Sequence, residues 1–347
     1  MVSSVSGGSQ PLLQVLHGHP QSRPPIWFMR QAGRYLKEYR DVRARHPGFI
    51  EFCLTPEDAA EVTLQPIRRF GMDAAILFAD ILLIPHAMGQ NVRFVKGEGP
   101  KLEPVVSADL MKTLSADKAA ERLSPVYETV RLVRAGLDDD KTLIGFAGSP
   151  WTVATYMING QGTKDPSAAR QLFYREPQMV RDLMAMLVSA TADYLIAQAE
   201  AGADALKLFD SWAAGLPENV FRELCLEANM EIARRVREKT DVPILYFPKG
   251  AGALYEAVAI EGSFEGLAMD TQMPMEWAKK TLSPHVALQG GLDPLLVVEG
   301  GKAMREAVEY LVKTFDGVPY ILNLGHGFVP ETPPEHVAEV VKIVRGD

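Results

Sequence analysis

Eight short apolar runs, each followed by a longer stretch with helical spacing, constrain this chain more than any other feature. They fall at residues 26–29, 74–78, 142–147, 205–209, 243–247, 266–269, 286–289 and 320–324. Runs that are apolar on both faces are what parallel strands covered on both sides require. Between them, Val180, Leu183, Met184 and Leu187, then Thr191, Tyr194 and Leu195, keep one helix face apolar over several turns. Thr55-Pro56-Glu57-Asp58 supplies an N-cap, a proline at N1 and acids in the first turn. Pro177, Pro217 and Pro274 are placed to open other helices. Eight such units around one core predict a single-domain α/β fold, a (β/α)8 TIM barrel with its active site at the C-terminal ends of the strands. A doubly wound open sheet is the alternative. At 347 residues the chain exceeds the ~250 of a usual barrel, and residues 91–103, punctuated by glycine and proline, are expected to form an inserted hairpin. No repeat or low-complexity linker divides the sequence, so one domain is expected over 12–347, after a loose Ser/Gly-rich tail at 1–11.

The formal net charge is −8, yet residues 30 to 45 gather Arg30, Arg34, Lys37, Arg40, Arg43 and Arg45, offset only by Glu38 and Asp41. Arginine presents a planar fork of donors that grips carboxylate or phosphate bidentately. A cluster of them at the exit of a buried strand points to a pocket for a multiply anionic small molecule. For Lys37, Arg40 and Arg45 a solvated helix face explains the charge as well. The acidic balance argues against nucleic acid as a partner. Cys53 and Cys225 stand far apart, which leaves no disulfide framework or zinc ribbon and suits a reducing cytoplasm. No stretch of about 18 apolar residues occurs, so no membrane span is expected, and the N-terminus lacks the apolar region of a signal peptide.

In a barrel of this kind the chemistry sits just past the strands. Those positions hold Arg30, Gln31 and Arg34 after the first run, Asp80 after the second, and Phe146 and Ser149 with Tyr156 beyond the third. Asp210, Ser211 and Trp212 follow the fourth, Lys249 the fifth, Asp270 the sixth, and His326, between two glycines, the eighth. Asp80 lies in the otherwise apolar Phe78-Ala79-Asp80-Ile81-Leu82-Leu83-Ile84-Pro85, where a lone acid is costly unless hydrogen-bonded or paired. A loop-capping role competes for Asp80, and a structural role for His326. No H-x-x-x-H or H-E-x-x-H occurs, neither cysteine has a histidine two residues before it, and no dinucleotide or Walker signature is present. No metal, nucleotide or other cofactor is expected.

At these same residues the chain resembles the uroporphyrinogen decarboxylase family. The likeness is carried by Met29-Arg30-Gln31-Ala32-Gly33-Arg34-Tyr35-Leu36, Gly145-Phe146-Ala147-Gly148-Ser149-Pro150-Trp151-Thr152 and Leu208-Phe209-Asp210-Ser211-Trp212-Ala213. It continues in Leu288-Gln289-Gly290 with Leu292-Asp293-Pro294, and in Asn323-Leu324-Gly325-His326-Gly327. The resemblance implies a homodimeric barrel that works without a cofactor. It also implies removal of the four acetate carboxyls of uroporphyrinogen III to give coproporphyrinogen III, a step of haem biosynthesis. By motif match, Arg30, Gln31, Arg34, Arg43, Asp80, Phe146, Tyr156, Ser211 and His326 become substrate-binding positions, with Asp80 and Arg30 as the catalytic pair. Lys37 stands where the family commonly has proline, Ala214 where glycine is usual, and Gly291 where asparagine is frequent. Two other readings stay open: a non-catalytic tetrapyrrole-binding protein, and a barrel lyase using Lys249 or Lys207 as a Schiff-base amine.

Overall fold

The computed structural model describes residues 10–95, 97–163 and 165–346. Among these, the chain forms β1 (Ala74–Ile76), β2 (Val92–Val95), β3 (Gly99–Leu102), β4 (Thr142–Gly148), β5 (Ala205–Asp210), β6 (Ile244–Pro248), β7 (Gly266–Met269), β8 (Ala287–Gly290) and β9 (Tyr320–Ile321). Seven of them pair in parallel in chain order, β1-β4-β5-β6-β7-β8-β9, with helices in the connections. Every residue of those seven is buried, which is why their sequences read as largely apolar runs. The expected hairpin is present as β2 and β3, and Phe94 anchors it on Phe49 with ring centres 4.6 Å apart.

The first apolar run lies between β1 and β9 and closes the barrel, but only as a single parallel bridge, Ile26 to Leu322. The reason is visible in its amides. Ile26 N–H donates to Asp73 Oδ2 at 2.8 Å, Phe28 N–H to Gln31 Oε1 at 3.0 Å and Met29 N–H to Asn323 Oδ1 at 3.1 Å. Trp27 N–H alone reaches a strand carbonyl, that of Leu322 at 3.4 Å. Side chains thus replace a ladder, and the eighth strand position is occupied without becoming a regular strand.

Alternation fixes which side chains face the axis. On β5, Lys207 and Phe209 point inward, whereas Asp210 points out and meets Thr152 of the helix Pro150–Asn159. The helix expected from Thr55 runs over Pro56–Phe70, although the Thr55 hydroxyl bonds the Glu51 carbonyl instead of capping it. Of the tail expected at 1–11, residues 1–9 lie outside the described residues; Gln10 and Pro11 already open the helix Pro11–Leu16. Among the described residues, no helix is long and apolar enough to cross a membrane. Two clefts of about 340 and 290 Å³ lie at the N-terminal end of the barrel, against Pro24, Tyr320, Asp73 and Arg345, away from the strand ends that carry the chemistry.

Asp73 is the hinge pin of the seam, since Oδ2 holds Ile26 and Oδ1 takes the Arg345 guanidinium at 3.0 Å. Asp73→Ala is expected to lower stability by about 1–3 kcal/mol, because it strands a buried N–H. Urea unfolding should show a lower midpoint with unchanged slope.

Candidate active site

Past Phe28 the chain turns sharply, and Arg30 adopts φ +63°, a left-handed conformation unusual for a side chain of its size. Gln31 makes that turn rigid. Its amide is fully buried, accepting from Phe28 N–H and donating to the Ala74 carbonyl at 3.1 Å. Both polar ends of its side chain are thus met by backbone, and Gln31 braces the strand-one segment against β1.

The same turn lays the Arg30 side chain across Gly327. A Cβ on Gly327 would come within 2.6 Å of Arg30 Cδ, so only glycine leaves the room. Arg30 is the common neighbour of the mouth, and its charge acts on Asp80, Tyr156 and His326 alike. Burial holds the His326 imidazole down to about 3, with the charges of Lys249 and Arg30 adding to the effect. Its Nδ1 is buried and has no partner among the described residues. The mouth therefore contains a neutral imidazole with one nitrogen unpartnered among the described residues.

Asp80 follows β1 at the same end. One oxygen accepts from Leu82 N–H at 2.9 Å, and no side chain bonds the carboxylate among the described residues. Burial pushes its pKa up to about 6, against the pull of the Leu82 amide and of Arg30. A carboxylate held this way is anionic at neutral pH yet poorly solvated, and so is predisposed to accept hydrogen bonds from a ligand.

Tyr156 rides on the helix Pro150–Asn159, where its ring meets Trp212 edge to face at 5.8 Å. The turn that carries Ser211 and Trp212 is fixed from behind. Thr152 Oγ1 donates to Asp210 Oδ1 at 2.6 Å and accepts from Trp212 N–H at 3.1 Å, while Tyr246 donates its hydroxyl to Asp210 Oδ2 at 2.9 Å. Asp210 is thus a support of the site, not a member of it. Asp270 is likewise occupied, by Gly250 N–H, Tyr255 Oη and Gln272 N–H. Phe146 packs edge to face on Phe209 at 5.5 Å and gives the mouth an apolar floor.

The arginine cluster divides. Lys37 pairs with Asp41, Arg45 with Asp58 at 3.6 Å, and Arg40 bonds the carbonyls of Arg34 and Tyr35, so these three serve the local fold. Arg43 bonds the His46 carbonyl at 2.7 Å and lies over Phe49 and Phe52. Arg30, Arg34 and Arg43 have no carboxylate partner among the described residues. Burial pushes the Tyr39 phenol up, with Cys53, Arg43, Arg34 and Asp80 acting on it in turn, which brings both arginines into the surroundings of Asp80. Lys249, half-buried at the end of β6, joins them by its effect on His326. Sequence position had marked Lys249 as a strand-end residue without giving it a part in the anion pocket.

The departures from the family pattern are conformationally mild. Gly291 has φ +97°, a region open to glycine and, at some cost, asparagine, and Lys37 is the first residue of the helix Lys37–Arg43, where proline also fits. Ala214 is exposed, with its Cβ against Gly250.

Comparison with known proteins agrees with this geometry. Residues 8–346 match the family model described as uroporphyrinogen decarboxylase (URO-D). A Rhodospirillum rubrum protein named uroporphyrinogen decarboxylase is 50% identical over 345 residues, 99% of each chain. One of the same name from Mesorhizobium japonicum is 50% identical over 338 residues, 97% of this chain and 98% of its own. Among solved structures, a methyltransferase from Methanosarcina mazei superposes with a TM-score of 0.78 at 20% identity, over 97% of both chains, and shares the fold.

Gly327→Ala separates the positioning of Arg30 from the stability of the fold. The added methyl displaces the arginine, so kcat/KM is expected to fall at least about tenfold, the equivalent of about 1.4 kcal/mol of transition-state stabilisation. The thermal midpoint should move little. Loss of both together would mean that Gly327 serves the fold and not Arg30.

Proposed function

Because the chain belongs to the uroporphyrinogen decarboxylase family, we propose that its mouth is a decarboxylation site in which Asp80 is the essential anion and Arg30 manages the proton. The enzyme is a carboxy-lyase that converts the four acetate arms of uroporphyrinogen III to methyl groups, yielding coproporphyrinogen III and CO2. One observation carries the assignment of roles: Asp80 is an ionisable carboxylate with a single backbone bond, set among cations that have no carboxylate of their own.

Loss of CO2 from an acetate needs a sink for the electron pair of the breaking bond. A pyrrole provides one. Protonation of the ring carbon beside the acetate-bearing carbon gives an iminium-like cation. The bond to the carboxylate then breaks, and its pair forms an exocyclic double bond as CO2 leaves. A proton on the methylene carbon and loss of the ring proton restore the aromatic pyrrole with a methyl group. Each arm thus consumes one proton and releases one CO2. Asp80 accepts hydrogen bonds from the pyrrole N–H groups and stabilises the cation, the kind of preorganised charge that is commonly the largest catalytic term. Arg30 orients the reacting carboxylate or a water, since a guanidinium rarely gives up its own proton.

The remaining carboxylates of this eightfold acid meet Arg34, Arg43 and His326, with Tyr156 and Ser211 as neutral donors and Phe146 against the ring face. A bound carboxylate gives the free Nδ1 of His326 a partner, since a neutral imidazole protonated there donates its N–H. The reading includes a homodimer in the cytoplasm, working without a cofactor as one domain over 12–347. Cys53 and Cys225, both buried and unpaired, accord with a reducing compartment. Lys207 is only 1% exposed beneath three aromatic rings, which speaks against its use as a Schiff-base amine.

Anaerobic incubation with freshly reduced uroporphyrinogen III, in chelator and without cofactor, should give products losing carboxyls stepwise from eight to four. Binding without loss would leave a tetrapyrrole carrier. Asp80→Asn is expected to lower kcat by about 10²–10³, the scale on which removal of one preorganised group acts. Wild-type kcat/KM should fall as pH drops through about 6, where Asp80 is protonated. For stability the sign is opposite. A carboxyl whose pKa is raised in the folded state contributes stability at low pH that is lost as pH rises through about 6. Asp80→Asn should therefore raise the melting temperature at pH 7, by no more than about 3 kcal/mol of stability. A variant that melts lower, or keeps full turnover, would remove Asp80 from this role.

A further inference from the structure

One buried titratable group has no task in the mechanism above. Lys207 projects inward from β5, and its ammonium lies 5.0 Å from the ring centre of Trp27, 5.2 Å from Phe209 and 5.7 Å from Phe247. Each ring comes shortly before a residue of the mouth: Trp27 before Arg30, Phe209 before Ser211, Phe247 before Lys249. In register, Lys207 stands beside Phe146 of β4, the apolar floor, and Leu245 of β6. The amine is therefore one layer of rings below the surface on which the macrocycle is proposed to rest.

The groups packed around it carry no charge. They are Trp27 from the strand-one segment, Phe146 from β4, Phe209 from β5, and Leu245 and Phe247 from β6. The ionisable groups above it at the mouth are Arg30, Asp80, Lys249 and His326, and among the described residues Lys207 makes no salt bridge. Ring faces attract a desolvated ammonium, but they offset only part of what it loses on leaving water. Burial accordingly holds the amine down to about 7, so that near neutrality it is shared between charged and neutral forms.

On the reading that the mouth binds a polycarboxylate tetrapyrrole, we propose that Lys207 is a specificity-determining residue, a caged cation under the floor whose pull grows with the number of carboxylates bound above it. A rim arginine serves the carboxylate it touches. A central charge, acting through a water-poor layer that screens little, serves them all. Each round of decarboxylation removes one anionic arm, so the pull from Lys207 is strongest on the eight-carboxylate substrate and weakest on the four-carboxylate product. Bound anions also raise the pKa of a neighbouring amine, so complex formation above pH 7 draws a proton onto Lys207.

The test uses uroporphyrin III and coproporphyrin III, the oxidised eight- and four-carboxylate rings, as unreactive probes. Their affinities are measured by fluorescence for the wild type, Lys207→Met and Lys207→Gln, with proton uptake read by calorimetry in buffers of different ionisation enthalpy. Both variants should narrow the preference for uroporphyrin by about tenfold and lose the proton uptake. A lysine with a purely structural role would shift the melting temperature and leave preference and proton count unchanged, and that result overturns the proposal. Wild-type protein that neither binds uroporphyrin nor decarboxylates the reduced substrate would instead overturn the functional reading on which the proposal rests.

Discussion

The strand-one segment is held in the barrel by side chains, and the mouth depends on that stitching. Asp73, Gln31 and Asn323 each take one amide of residues 26–29, so the segment is held at both flanks without a continuous ladder. A regular strand would have continued in extended geometry. This one is released after Phe28 into the turn that throws Arg30 over Gly327. The residue whose charge acts on Asp80, Tyr156 and His326 is thus placed by buried polar groups.

Charge is the second organising fact. The protein is acidic overall, yet the mouth collects Arg30, Arg34, Arg43 and Lys249 without carboxylate partners among the described residues. Lys37 and Arg45, by contrast, are paired with Asp41 and Asp58, and Arg40 holds the carbonyls of Arg34 and Tyr35. On the proposed function, an uncompensated set persists because an anionic ligand supplies the missing half. The neutral His326 and the reluctant carboxylate of Asp80 belong to the same unfinished arrangement.

Much of this was legible in the sequence, for identifiable reasons. The eight runs mark eight strand positions because both faces of each are covered, and residues 91–103 carry the glycines that a hairpin needs. Motif adjacency was less informative about direction. Gln31 and Asp210 stand beside other site candidates, but their side chains bond within the fold, Gln31 in the seam and Asp210 to the helix layer. For Asp210 the parity of β5 could have told, since Phe209 and Lys207 face inward and the next residue must face out. For Gln31 no such rule applies, because its segment is not a regular strand. Lys249 was visible at a strand end, but its charge acts on His326 from the end of β6 across to the loop after β9, a relation that no local pattern encodes.

The left-handed backbone at Arg30 sets two selective pressures against each other. The φ of +63° suits glycine or asparagine, whereas the chemistry proposed for the position asks for a guanidinium. A sequence optimised for this backbone alone would discard arginine there, and would do so at the residue on which the mouth converges. Stability-guided redesign of this barrel would therefore erode function first at position 30, and an arginine found in that conformation in another barrel is evidence of a working site before any ligand is known.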